Sequence, residues 1–219
     1  MIKADLHIHS CFSGDSDNKP DAIVKACLAK DLKCAAICDH GTIDGSLAVK
    51  ELAPFKVIVA EEILTPVGEI IGMFLTSTIP GGLTVEETIF RIREQNGIVC
   101  IPHPFDIYRS SGMQSETLEK IIDHIDIVEV FNARTIPIQN TRQPRQFALK
   151  HALLMGAGSD AHTTEEIGRA YVTIPDFTGR DEFLEAMRHA HIHGASANPF
   201  LVIKDLPARI IRKTLRKRG

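Results

Sequence analysis

Apolar and polar residues alternate over the first nine positions, with Ile2, Ala4, Leu6 and Ile8 set between Lys3, Asp5, His7 and His9. A period of two marks a strand, so His7 and His9 share one of its faces. Pro20 then suits the first turn of a helix in which Ile23, Val24, Cys27 and Leu28 recur at helical spacing. Short apolar runs and amphipathic segments keep alternating along the rest of the chain. Strands are expected at Cys34–Cys38, Val57–Ala60, Ile70–Leu75, Ile98–Ile101, Ile127–Phe131, Leu153–Ala157, Ala170–Ile174 and, briefly, Ile192–Ala195. Helices are expected at Gly45–Leu52, Val85–Asn96, Ser115–His124, Gln143–His151 and Arg180–His189. Apolar strands alternating with amphipathic helices imply parallel strands buried on both faces, hence an α/β fold. Their number suits a barrel better than a long open sheet.

Composition narrows the class. With 219 residues, 44% hydrophobic and 24% charged, the chain can build one full core of ordinary globular character. No apolar run approaches the roughly 20 residues needed to cross a bilayer, and the first strand leaves no room for a signal peptide. The expectation is a cytoplasmic protein with no membrane partner. Five cysteines (Cys11, Cys27, Cys34, Cys38, Cys100), mostly inside expected elements, read as reduced thiols. The net charge of −3 hides an asymmetry: residues 204–219 carry seven basic side chains against Asp205, which is +6, so residues 1–203 carry −9. This divides the chain into a body, 1–203, and a basic C-terminal helix or tail, 204–219. The tail reads either as a solvated helix or as a nucleic-acid contact.

Candidate chemistry sits where the strands end. One strand after another runs into His, Asp or Glu, and in α/β barrels the loops at the C-terminal ends of strands meet over one pocket. Collected in order, the candidates are His7, His9, Asp15, His40, Glu62, Glu69, His103, Asp160 and His162. Nitrogen and carboxylate donors without an organised thiolate set suit zinc, manganese or iron, and nine donors exceed what one tetrahedral ion uses.

These residues fall in DLHIHS, CDHGT, AEEI, PHPF and GSDAH. In that order the five stretches resemble the motifs of the PHP (polymerase and histidinol phosphatase) family of metal-dependent phosphoesterases, over about residues 2–174. The resemblance implies a distorted (β/α)7 barrel holding two or three divalent ions. It implies that His7, His9, Glu62 and Asp160 hold the first and that Glu62 bridges to a second, shared with His103. Asp15, His40 and His162 would hold a third. Two positions depart from the family pattern. Glu69 stands where a histidine is common, which favours harder ions such as manganese, and the SGDSDN loop leaves Asp15 and Asp17 in competition for one ligand position.

The expected reaction is hydrolysis of a phosphomonoester, on a small phosphorylated metabolite or the terminal phosphate of a nucleotide or oligonucleotide. Hydroxide near Glu62 and Asp160 would attack phosphorus, with His162 on the leaving-group side. Arg134 and Arg109 are the candidates to grip the phosphate. Amide or lactone hydrolysis uses the same chemistry and stays open, as does a non-catalytic module that binds nucleic acid through the tail. Asp39 reads as a partner of His40 or a helix cap. Asp5 reads as a support for His7 or His9, or as the partner of a buried arginine, and Glu61 as pointing away from Glu62. His189, His191 and His193 read as a solvated surface group.

Overall fold

The computed structural model describes residues 1–106, 109, 111–135 and 142–195. The basic tail, 204–219, and its boundary at 203 lie outside the described residues. Among the described residues nine strands form one sheet: β1 (Ile2–Ile8), β2 (Cys34–His40), β3 (Lys56–Thr65), β4 (Gly68–Met73), β5 (Ile98–Ile101), β6 (Ile127–Asn132), β7 (Leu154–Gly158), β8 (Ala170–Ile174) and β9 (His191–Gly194). The helices are α1 (Pro20–Ala29), α2 (Asp44–Leu52), α3 (Val85–Glu94), α4 (Ser115–Lys120), α5 (Arg142–Lys150) and α6 (Arg180–Met187). None of them is long and apolar enough to cross a membrane.

The strands run in the order β7-β6-β5-β4-β3-β2-β1-β8-β9. The sheet curls until the end of β7 meets β1: Asp160 N donates to His7 O at 2.7 Å and His9 N to Ala161 O at 2.9 Å. The result is a mixed α/β fold with a nearly closed, barrel-like sheet. Gly158 makes the closure possible. A Cβ there would lie 2.2 Å from His7 Cβ, so only a residue without a side chain lets β7 approach β1.

The expectation of a wholly parallel sheet needs correction. The pairs β1–β8, β3–β4, β4–β5 and β8–β9 are antiparallel. Pro66 and Val67 alone separate β3 from β4, a connection too short for a parallel crossover. β3 therefore does not stop at Ala60. It runs on to Thr65, and Glu61 and Glu62 lie inside a hairpin rather than at a strand end. The expected helix at 115–124 likewise divides into α4 and a 3₁₀ turn, Ile122–His124.

Local sequence explains the helices that line the barrel. Thr84 caps α3 by accepting from Glu87 N, Glu86 and Glu87 sit at the positive end of the helix dipole, and Arg91 and Arg93 at the negative end. Inside the barrel, Ala4, Leu6, Ala36, Ile58, Ile71 and Ile127 pack together, and Phe183 and Met187 of α6 join them. Outside, α1 and α2 cover β1 and β2 through Ile23, Cys27, Ile37 and Val49, and α3 to α5 cover β3 to β6. Each inward-facing row changes character along its strand. Ile58 and Ala60 lead to Glu62, Cys34, Ala36 and Cys38 lead to His40, and Ile127 leads to Glu129. β4 runs the other way, so Glu69 near its start reaches the same rim that Glu62 and His40 reach from the parallel strands.

Candidate metal centre

β1 does not hold strict alternation to its end. Its pairing with β2 shifts register between Asp5 and Ile8, and Ile8 packs with the outer cluster whereas Ala4 and Leu6 pack inside. Such an irregularity re-aims side chains. His7 and His9, both fully buried, end with their Nε2 atoms 3.1 Å apart. Glu62 Oε2 lies 3.6 Å from the first and 3.3 Å from the second, and Asp160 Oδ1 lies 3.9 and 3.5 Å away. Asp160 has φ +53°, a left-handed conformation uncommon outside glycine that turns the end of β7 over the barrel mouth.

The other candidates border this group. His103 Nε2 is 3.0 Å from Glu62 Oε1 and 3.5 Å from Glu69 Oε2. His40 Nδ1 is 3.5 Å from Glu62 Oε2 and 3.9 Å from Glu69 Oε1, and His40 Nε2 is 3.5 Å from Asp15 Oδ2. His162 Nε2 lies 3.2 Å from the same Asp15 oxygen. All nine residues named from the sequence thus meet in one pocket. It is Asp15, not the exposed Asp17, that faces His40 and His162.

The donor chemistry fits cations. His162 Nδ1 lies 2.8 Å from the Asp160 carbonyl, which can only accept, so the ring presents a bare Nε2 to a carboxylate oxygen. His7 Nδ1 faces Glu129 Oε1 at 3.1 Å, and its Nε2 confronts the Nε2 of His9. Acceptors facing acceptors at about hydrogen-bond distance need a proton or a metal ion between them. Asp15 Oδ1 is also buried with no hydrogen-bond partner among the described residues. Among the described residues, four overlapping sets of three donors could each hold an ion: His7, His9 and Glu62; His9, Asp15 and His40; His9, Asp160 and His162; His40, Glu62 and Glu69.

Electrostatics follow from this crowding. Burial lowers His7, but the charges of Glu62, Glu129 and Asp160 outweigh it and hold the imidazole well above its usual range. Burial likewise opposes Asp15, Glu62 and Glu69, which together raise His40 to about 10. His162 goes the other way, pushed down to about 3 by burial and the neighbouring His9, which leaves a neutral ring suited to ligation. Burial pushes Glu62 and Asp160 up, yet His7 for the one and Arg109 for the other keep both carboxylates ionised, well below their usual range.

Supports behind the donors complete the site. Asp5 accepts from Ser159 N, Ser159 Oγ, Gly168 N and His7 N, tying β1 to both ends of the turn that carries Asp160 and His162. No arginine is among these donors. Asp39 neither orients His40 nor caps α2: it takes Ser10 N and Ser10 Oγ, each at 2.6 Å. Arg109 Nη1 lies 2.6 Å from Asp160 Oδ2 and keeps 22% exposure, whereas Arg134 is 2% exposed and pairs with Glu166 at 3.1 Å. His189, His191 and His193 are exposed.

Glu129, Asn132 and Ser13 are functional neighbours absent from the sequence-derived set. Glu129 holds His7 Nδ1 through one oxygen and His103 N and Asn132 Nδ2 through the other. Ser13 Oγ lies 3.1 Å from His9 Nδ1. The available signal was parity, since Glu129 is two residues on from inward-facing Ile127.

Comparison with known proteins gives this geometry a context. A PHP domain model matches residues 5–81 and a PHP-associated model residues 138–192. An uncharacterised protein of Methanocaldococcus jannaschii is 36% identical over 197 residues, 85% of this chain and 79% of its own. The fold is similar to a two-domain protein of Bacteroides vulgatus containing a predicted PHP-like metal-dependent phosphoesterase, at TM-score 0.72 and 18% identity. That match covers 88% of this chain, which spans 64% of the Bacteroides chain. An amidohydrolase of Chromobacterium violaceum, with sulfate bound and no metal, aligns at TM-score 0.61 and 17% identity over 84% of this chain and 96% of its own.

Proposed function

Since the chain belongs to the PHP domain family, we propose that it is a metal-dependent phosphoesterase acting on a phosphomonoester, either a small metabolite or the terminal phosphate of a nucleotide. One observation carries this reading: His7, His9, Glu62 and Asp160, drawn from β1 and the residue after it, β3 and the turn after β7, bring their donor atoms together over 3.1 to 3.9 Å. We assign them to a first ion. Glu62, His103 and Glu69 are assigned to a second, and Asp15, His40 and His162 to a third, with zinc, manganese or iron as the candidate metals. In the same reading the sheet is a distorted (β/α)7 barrel to which β4 and β8 add antiparallel strands.

Bound divalent ions would lower the pKa of water and offset charge on a phosphoryl oxygen. The chain's own side chains do the rest. Glu62 turns one oxygen toward the His7 and His9 nitrogens and the other toward His103, so one carboxylate reaches two neighbouring sites. Asp160 keeps Oδ1 toward the histidines because Arg109 and Asn132 hold Oδ2. His162 stays neutral, an electron-pair donor rather than an acid. Arg109, partly open, and the buried Arg134 are assigned to the phosphoryl oxygens.

The test is a substrate panel with added Mn²⁺: p-nitrophenyl phosphate, adenosine 3′,5′-bisphosphate, and carboxylic ester, lactone and amide substrates. Phosphate release without carbonyl turnover is expected. Carbonyl turnover without phosphate release would replace this reading with the amidohydrolase one. Metal analysis by mass spectrometry of chelator-free protein is expected to find at least two ions per chain and fewer in His7→Ala.

A further inference from the structure

Glu166 donates no atom to the cluster, yet one of its oxygens holds two parts of the site. Oε2 accepts from His162 N at 2.9 Å, Thr163 N at 3.1 Å and Arg134 Nη1 at 3.1 Å, in a residue 4% exposed. Glu166 N returns a hydrogen bond to Thr163 O, closing the turn on itself. Lys30 Nζ binds the carbonyls of Glu165 and Ile167, and Asp5 takes Gly168 N, so the turn is pinned from behind as well. At its front the same carboxylate meets the backbone at His162 and a buried guanidinium. Arg134 also acts electrostatically on the His162 ring, lowering its proton affinity.

We propose that Glu166 is a positioning residue that joins a cation-holding side chain, His162, to an anion-holding one, Arg134. The Arg134 half rests on the phosphoesterase reading, and the His162 half stands on geometry alone. A neutral amide is a poorer partner here. It can place one oxygen where Oε2 sits, but without the negative charge that meets the Arg134 guanidinium, so the bond to Arg134 and the two backbone bonds weaken together. Partners of metal ligands are worth about 10- to 100-fold in metal affinity.

Calorimetric titration of the full-length protein with Mn²⁺, then with sulfate at saturating Mn²⁺, tests this. Sulfate serves as a tetrahedral dianion that stays soluble with Mn²⁺. Glu166→Gln is expected to weaken the last-bound Mn²⁺ and the sulfate about tenfold each, while Glu165→Gln, one position away and exposed, changes neither. If Glu166→Gln melts at a lower temperature but binds both probes like wild type, Glu166 serves the fold alone and the proposal is wrong. Loss of one probe without the other also overturns it. Should the glutamine variant not fold, Glu166→Asp carries the same comparison with smaller losses. Absence of phosphate-ester hydrolysis in the wild type would sink the functional reading while leaving both titrations readable.

Discussion

Glu61 and Glu62 are neighbours on β3, both buried, and their carboxyl groups behave in opposite ways. Glu61 points to the outer face, where Ile79 N at 2.8 Å is its hydrogen-bond donor and Oε1 has none. Burial pushes it up to about 7. Glu62 points into the barrel among His7, His9, His40 and His103, and burial there is overcome, so its proton affinity falls well below the usual range. Neither carboxyl reaches solvent, and what differs most is the company. A buried carboxylate with cationic partners stays charged, whereas one with a single amide donor tends to neutral. The inner face of β3 is thus built to hold charge, and the outer face tolerates it.

The most damaging way to probe that contrast is Glu62→Gln. It keeps shape and removes the charge that two neighbouring donor sets share, so hydrolysis should fall about a thousandfold, about 4 kcal/mol of barrier. Mass spectrometry should show fewer bound ions, while Glu61→Gln keeps the wild-type count. Equal metal content in the two variants would erase the distinction between the faces.

Gly158→Ala tests the frame rather than the charge. The added methyl would meet His7 Cβ at 2.2 Å and Glu129 Oε1 at 2.8 Å, so β7 must move off β1. A loss of about 2–3 kcal/mol is expected from overpacking of this kind, seen as a lower denaturation midpoint in urea. A wild-type midpoint would mean that the barrel closes elsewhere.

Much of this architecture could be read from the chain, because burial and ligation leave different marks. The alternation around His7 and His9 and the short apolar runs along the chain located every strand among the described residues, and the runs before Glu62, His103 and Asp160 pointed to the pocket. Direction was harder. The hydrophobic runs of β3 and β4 look alike in either orientation, and only the two-residue link at Pro66 and Val67 forces the hairpin. Reading β3 as ending at Ala60 hid how Glu69 arrives, from the start of an antiparallel strand. The shift in β1 and the supports from Ser13, Glu129 and Asn132 depend on three-dimensional register, which no local pattern carries. Arg109 was legible as a cation near the site, but not its attachment to Asp160.

Glu129→Gln carries the comparison one strand further. On β6 this inward carboxylate has an imidazole and an amide as partners, so it combines features of Glu62 and Glu61. With the amide in place, His7 loses the acceptor that fixes its ring, and Mn²⁺ affinity should fall about 10- to 30-fold by calorimetry. Saturating metal should restore most of the activity, since no proposed ligand is lost. Activity that stays low at saturating Mn²⁺ would make Glu129 a ligand in its own right.

The gentlest test returns to Glu61. Its carboxyl is held near 7 in the fold against 4.5 in the open chain, so between those values the folded state binds more protons than the unfolded one. Stability contributed by the protonated group is therefore complete at about pH 4.5 and is lost as pH rises through about 7. The full shift corresponds to about 3 kcal/mol, and relaxation and water entry around the carboxylate should leave about 1–2 kcal/mol of it. Glu61→Gln mimics the protonated form, so it should melt with the wild type at pH 4.5 and a few degrees above it at pH 8. A constant gap across that range would mean that Glu61 is charged throughout, and that the outer face of β3 has a cationic partner after all.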